Sequence, residues 1–176
     1  MLAIELLMMI CLAYIFYQDM KYRAVYWILF PVLALGLFSI KYWKMGWIGA
    51  LTDTGYALAF FSLQLFLLWL YFSVKKRRLT DITVDYLGLG DILLLVSIAF
   101  YLSPLNYILF YTGSLILVLI YACIIQQIES VQDKHIPLAG LQAAFMIILL
   151  FCGFIFPQMK LYEDLWLQAV LAHLYI

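Results

Sequence analysis

Charge is what this sequence has least of: Asp, Glu, Lys and Arg make up 11% of its 176 residues, and ten basic side chains balance ten acidic ones. Such a chain has no basic face for nucleic acid and too few charges to cover a soluble globular surface. Paired cysteines are missing too. Cys11, Cys123 and Cys152 stand singly in apolar stretches without a CxxC spacing, so neither a zinc site nor a disulfide framework is expected, and all three read as small core residues. His135 has no second ligand at metal-binding spacing, so no metal site is expected. A Gly-rich phosphate loop, a GxSxG nucleophile elbow, internal repeats and low-complexity tracts are absent. No cofactor is expected. The first apolar run lacks a basic start and a small-residue cleavage pattern before Tyr17-Gln18-Asp19, so it reads as a retained helix rather than a signal peptide.

What is abundant is apolar surface. The chain is 68% hydrophobic and 18% aromatic, with a mean hydropathy of +1.06, which makes it an integral membrane protein whose first partner is the lipid bilayer. About 20 apolar residues per crossing divide the sequence into six runs, near 2–18, 25–40, 47–73, 89–103, 105–126 and 137–156. The expected fold class is therefore an all-α, polytopic bundle of about six transmembrane helices over residues 1–156. Residues 157–176 read as an interfacial amphipathic segment. The third run is longer than a span requires, which places its Gly46–Gly55 start, with Trp43 and Trp47, at the interface.

Positive residues in short loops mark the cytoplasmic side. Lys21 and Arg23, the Lys75–Arg78 run KKRR and Lys134 fall in alternate loops, while Lys41, Lys44 and Lys160 fall in the others. The expected N-terminus is outside. This topology puts Asp19, ending the first helix, and Asp91, opening the fourth in the stretch GLGD, at one cytoplasmic boundary. The segment KHIPLAG, Lys134 to Gly140, opens the sixth helix there as well. Two neighbouring carboxyls suit peptide hydrolysis. One takes a proton from water and the other, protonated, polarises the scissile carbonyl, and because two like charges cannot both ionise comfortably, one pair supplies both acid and base. Gly88 and Gly90, without Cβ atoms, would let a substrate strand lie close to Asp91.

An aspartate near the end of helix 1, a basic loop, GxGD opening helix 4 and Ile136-Pro137 opening helix 6 together resemble the type IV prepilin peptidases and the related archaeal preflagellin peptidases. The resemblance runs from about Leu12 to Leu149, through short motifs. It implies a multi-pass aspartyl protease of the prokaryotic cytoplasmic membrane, with Asp19 and Asp91 catalytic. Its substrate would be a prepilin-like membrane protein with a short basic leader, and Ile136-Pro137 would face that substrate. Two departures stand out: Val25-Tyr26-Trp27 replaces the family's usual Ile-Pro-Asn, and Leu93 stands where a lysine usually follows the second aspartate. Nothing here corresponds to the cysteine-containing methyltransferase domain of many bacterial members, so a protease without that activity is expected.

Each residue also has a purely structural reading. Asp19 fits an interfacial charge, Asp91 a helix-dipole partner, KKRR a cytoplasmic anchor and Pro137 a first-turn proline. Asp81 and Asp85 read as solvated loop charges, while Glu5 and Asp53 fall toward the outer side. Three other functions compete: an intramembrane protease of signal-peptide-peptidase type, whose GLGD-like motif is similar; a small ion or proton carrier; and an inactive assembly partner.

Overall fold

The structure, a computed structural model, describes residues 2–76, 88–128 and 137–174. Asp81, Asp85, Lys134, His135 and Ile136 lie outside the described residues, as do Arg77 and Arg78 of the basic run. Among the described residues every regular element is an α-helix, as a lipid environment demands, because a helix satisfies its own backbone hydrogen bonds. Four helical assignments, Ala3–Tyr22, Leu29–Lys76, Pro104–Ile125 and Leu138–Ile155, are long and apolar enough to cross a membrane.

Helix α1 spans Leu2–Tyr22, one turn past its expected end at 18. It stops where Arg23 turns to φ 52 and donates its amide to the Asp19 carbonyl at 3.0 Å, a left-handed helix terminus. Residues 23–28 form the turn, braced by the Tyr26 amide on Gln18 Oε1 at 3.2 Å, so the next helix starts at Leu29 rather than 25.

The 48-residue stretch Leu29–Lys76 is two helices broken at Gly46 (φ 78, ψ 174). We denote them α2 (29–45) and α3 (47–76). In one straight helix Lys41 and Asp53 would stand about 18 Å apart at 1.5 Å per residue. Their Nζ–Oδ2 distance is instead 3.5 Å, and the Trp47 ring packs edge-on against Phe38 and Tyr42. The chain folds back into a hairpin, which only glycine accommodates readily at that φ. The Gly46–Gly55 stretch is therefore the first turns of a helix. The exposed Trp43 and Trp47 flank this hairpin, and Tyr22, Tyr26 and Trp27 are exposed at the opposite end, as amphipathic rings at two membrane interfaces would be.

Helix α4 covers only Leu89–Ala99, about 16 Å at the helical rise and shorter than the 89–103 span expected. Pro104 disfavours helical torsions at Ser103. Residues 100–103 form a turn in which Tyr101, Leu102 and Ser103 are buried, before α5, Pro104–Ile128, begins. Helix α6 is Leu138–Ile155 and α7 is Leu165–Leu174. The connection between them folds onto the start of α5: the Ser103 amide donates to Leu161 O at 3.1 Å, Leu105 N to Asp164 Oδ1 at 3.2 Å, and Asn106 Nδ2 to Glu163 O at 3.0 Å.

The interior is lined by Leu12, Ile15, Leu33, Leu94, Ile98, Phe110, Ala143 and Met146, all 0–1% exposed. The outer faces are equally apolar, with Ile10, Leu35, Leu119 and Phe154 exposed, so lipid rather than water must cover them. Without a hydrophobic force between helices in lipid, polar clasps and close packing hold such a bundle. The Ser97 hydroxyl lies 3.0 Å from Phe30 O, Tyr107 donates to Leu95 O at 3.2 Å, and the fully buried Lys41 donates to Leu102 O at 2.9 Å.

Lys41 thus ties the α2–α3 hairpin to the end of α4. Lys41→Met leaves the Leu102 carbonyl and Asp53 without their cation and should cost on the order of 3 kcal/mol; Lys41→Met/Asp53→Leu should recover most of that. Reversible unfolding in mixed micelles measures both.

Candidate active site

A helix leaves its first backbone N–H groups without intrahelical partners, and Pro137, the N-cap of α6, has no N–H of its own. The first free amides after it are therefore concentrated at Leu138, Ala139 and Gly140, since the Leu141 amide already bonds the Pro137 carbonyl at 3.2 Å. Two acids from different helices meet them. Asp19, 9% exposed near the end of α1, accepts the Gly140 amide on Oδ2 at 2.6 Å. The Asp91 carboxyl, in the first turn of α4, interacts with the Ala139 amide and lies within the electrostatic field of Asp19. The Gly140 amide so holds one carboxyl, with the other in its field and the positive end of the α6 dipole behind them.

Local sequence explains each position. Asp91 closes a capping box: the Gly88 amide donates to Asp91 Oδ2 at 3.1 Å, as the third residue of a helix often reaches back to its N-cap. A Cβ on Gly88 would stand 3.0 Å from that oxygen. Gly88 has an ordinary φ of −62, so it serves close approach rather than unusual torsion. Gly90 sits inside α4, where a Cβ would make an ordinary 3.8 Å contact with Phe30. Leu93 is exposed and lies about 200° around the helix from Asp91 at 100° per residue, so the departure from the family's lysine falls away from the acids. Pro137 directly precedes α6 and is half-buried.

Gly140 sits against Asp19 itself. A Cβ there would lie 3.1 Å from Asp19 Oδ2, 3.2 Å from Asp19 Cβ and 3.5 Å from the Phe16 carbonyl. A side chain there would have to push Asp19 back by a few tenths of an ångström, so glycine is what lets α6 lie this close to α1 and offer its amide. Ala139 and Gly140 were not singled out from sequence. The signal was there: a proline followed within three positions by two small residues at a helix start, on the same side as both acids.

Among the described residues the remaining acids stand elsewhere. Glu5 pairs with Lys44 at 2.8 Å and Asp53 with Lys41 at 3.5 Å. Glu5 and Asp19 are 14 residues apart on one helix, about 21 Å. Among the described residues no cluster of His, Cys, Asp and Glu could hold a metal ion. No protein-family model, curated protein or solved structure matches the chain.

Two glycine substitutions should differ in sign. Gly140→Ala forces α1 and α6 apart and should destabilise the fold by about 1–3 kcal/mol, the usual range for overpacking. Gly55→Ala, in α3 with nothing within 4 Å of the added carbon, should stabilise by about 0.5–1 kcal/mol. Thermal unfolding in detergent distinguishes them.

Proposed function

We propose that this protein is a membrane aspartyl endopeptidase of prepilin-peptidase type, in which Asp19 and Asp91 activate water at the cytoplasmic face. The observation that supports this best is the Asp19 carboxyl held by the Gly140 amide at the start of α6 at 2.6 Å, with the Asp91 carboxyl in its electrostatic field. One carboxylate removes a proton from a water molecule. Its protonated neighbour donates a hydrogen bond to the scissile carbonyl, and the tetrahedral intermediate collapses as the proton passes to the leaving amine. The free amides and dipole of α6 hold the shared negative charge in place throughout, which keeps the acids oriented without a metal.

On this reading the chain crosses the prokaryotic cytoplasmic membrane six times with its N-terminus outside. The charge distribution supports that orientation. Among the described residues the end bearing the α2–α3 hairpin has three basic side chains, Lys41, Lys44 and Lys160, and the orientation rule counts Lys and Arg rather than net charge. Lys21, Arg23, Lys75 and Lys76 belong to the end that holds Asp19 and Asp91. The substrate is a small membrane protein with a short basic leader and an apolar helix, cut where the chain leaves regular structure, since a helical carbonyl is hidden from attack.

Reconstituted protein and a panel of such precursors, read by mass spectrometry, test the proposal. Wild type should release the leader, and Asp91→Asn, nearly isosteric but unable to titrate, should slow cleavage by at least about 10²-fold, the lower range for an acid–base group. A cut mapped within the apolar span would favour the signal-peptide-peptidase type. No cleavage of any precursor by folded wild type would contradict the protease reading.

A further inference from the structure

A cavity of about 280 Å³ lies between α3, α4, α5 and α6, with Gln64, Tyr71, Leu95, Leu115 and Leu138 among its walls. It borders the acids: Leu95 is one helical turn beyond Asp91, and Leu138 immediately precedes Ala139. Its wall also includes Gln142, which is 0% exposed. The Gln142 Nε2 group reaches Ser114 Oγ at 3.4 Å, while Oε1 has no hydrogen-bond partner among the described residues. Turning the amide over would exchange the two atoms and leave a donor unpaired instead. Either way one strong hydrogen-bonding group of this buried wall residue is unmet at membrane depth, where an unmet polar group is costly.

An acyl chain could fill this space but would leave Gln142 unmet. A peptide brings what is missing, because the first turn of a helix, or a stretch not yet helical, carries free N–H and C=O groups into lipid. The larger cavity at the opposite end, about 490 Å³, presents no comparable need: its charged wall residues Glu5, Lys44 and Lys160 are all paired.

We infer that the smaller cavity is a substrate subsite, in which the start of the substrate's apolar segment lies between α3 and α6 and one of its backbone groups pairs with Gln142. This rests on the protease reading and adds where the peptide lies relative to the acids: the cleaved bond at the Ala139–Gly140 end, the apolar segment descending past Leu95 and Gln142.

The test uses the full chain carrying Asp91→Asn in phosphatidylcholine–phosphatidylglycerol vesicles, with a synthetic peptide made of a basic leader and an apolar helix. A benzophenone amino acid is placed at Leu115, which is exposed and in the cavity wall, or at its neighbour Ile116, which is exposed and outside it. Photolysis at 115 should give a peptide adduct mapping to the first residues of the apolar segment, and photolysis at 116 a lipid adduct. Adding Gln142→Leu should lower the peptide adduct at 115 about tenfold, the order of one buried hydrogen bond. Lipid adducts alone at 115, equal peptide labelling at 115 and 116, or no effect of Gln142→Leu would each overturn the subsite. The two readings fail separately. A peptide captured at 115 but never cut by wild type leaves the subsite standing without the protease, and a peptide cut by wild type but never captured does the reverse.

Discussion

Everything at the candidate site depends on the unfilled backbone donors at the start of α6. In water such amides would be hydrated and of little consequence. Inside an apolar bundle they must be met by protein, and here the Gly140 amide is met by Asp19 of α1, with Asp91 of α4 in the field of that acid. A carboxylate so placed is held by a charge-assisted bond, stronger than a neutral one. The same contact fixes the approach of α6 to α1, where Gly140 leaves no room for a side chain against Asp19. Packing and chemistry therefore share one constraint.

The opposite end of the bundle uses charge differently. There the buried Lys41 joins the α2–α3 hairpin to the end of α4, with Asp53 neutralising it and the Leu102 carbonyl completing its coordination. Asp164 lies within its field and braces the start of α5 through Ser103 and Leu105. Lys41, Asp53 and Asp164 are matched within the protein and clamp that end, while Thr54 Oγ1 and Trp166 Nε1 beside them have no partner among the described residues. Gln142, near the acids, is matched on one side only.

Much of this was legible in the sequence, and the reasons are physical. Long apolar runs must be helices in lipid, so the helical class and the approximate spans followed from hydropathy alone. Asp19 and Asp91 stood out because ionisable groups are rare in such runs, and the alternation of basic loops set them at one end. Three things were not legible. The end of α1 at Tyr22 depends on Arg23 adopting a left-handed conformation, which its side chain does not announce. The shortness of α4 depends on the buried turn before Pro104, whose residues are as apolar as a helix would be. The role of Ala139 and Gly140 is played by backbone amides, to which residue identity contributes only by keeping the space clear.

The most direct test of the central claim is a through-space measurement in bilayers that leaves the backbone untouched. Magic-angle-spinning NMR of chain carrying aspartate labelled with ¹³C at the side-chain carboxyl and ¹⁵N-labelled alanine and glycine reads carboxyl-to-amide proximities. The account predicts one correlation to the Gly140 amide that vanishes in Asp19→Asn and one to the Ala139 amide that vanishes in Asp91→Asn. Aspartate carboxyls that correlate with no amide of α6 would contradict it.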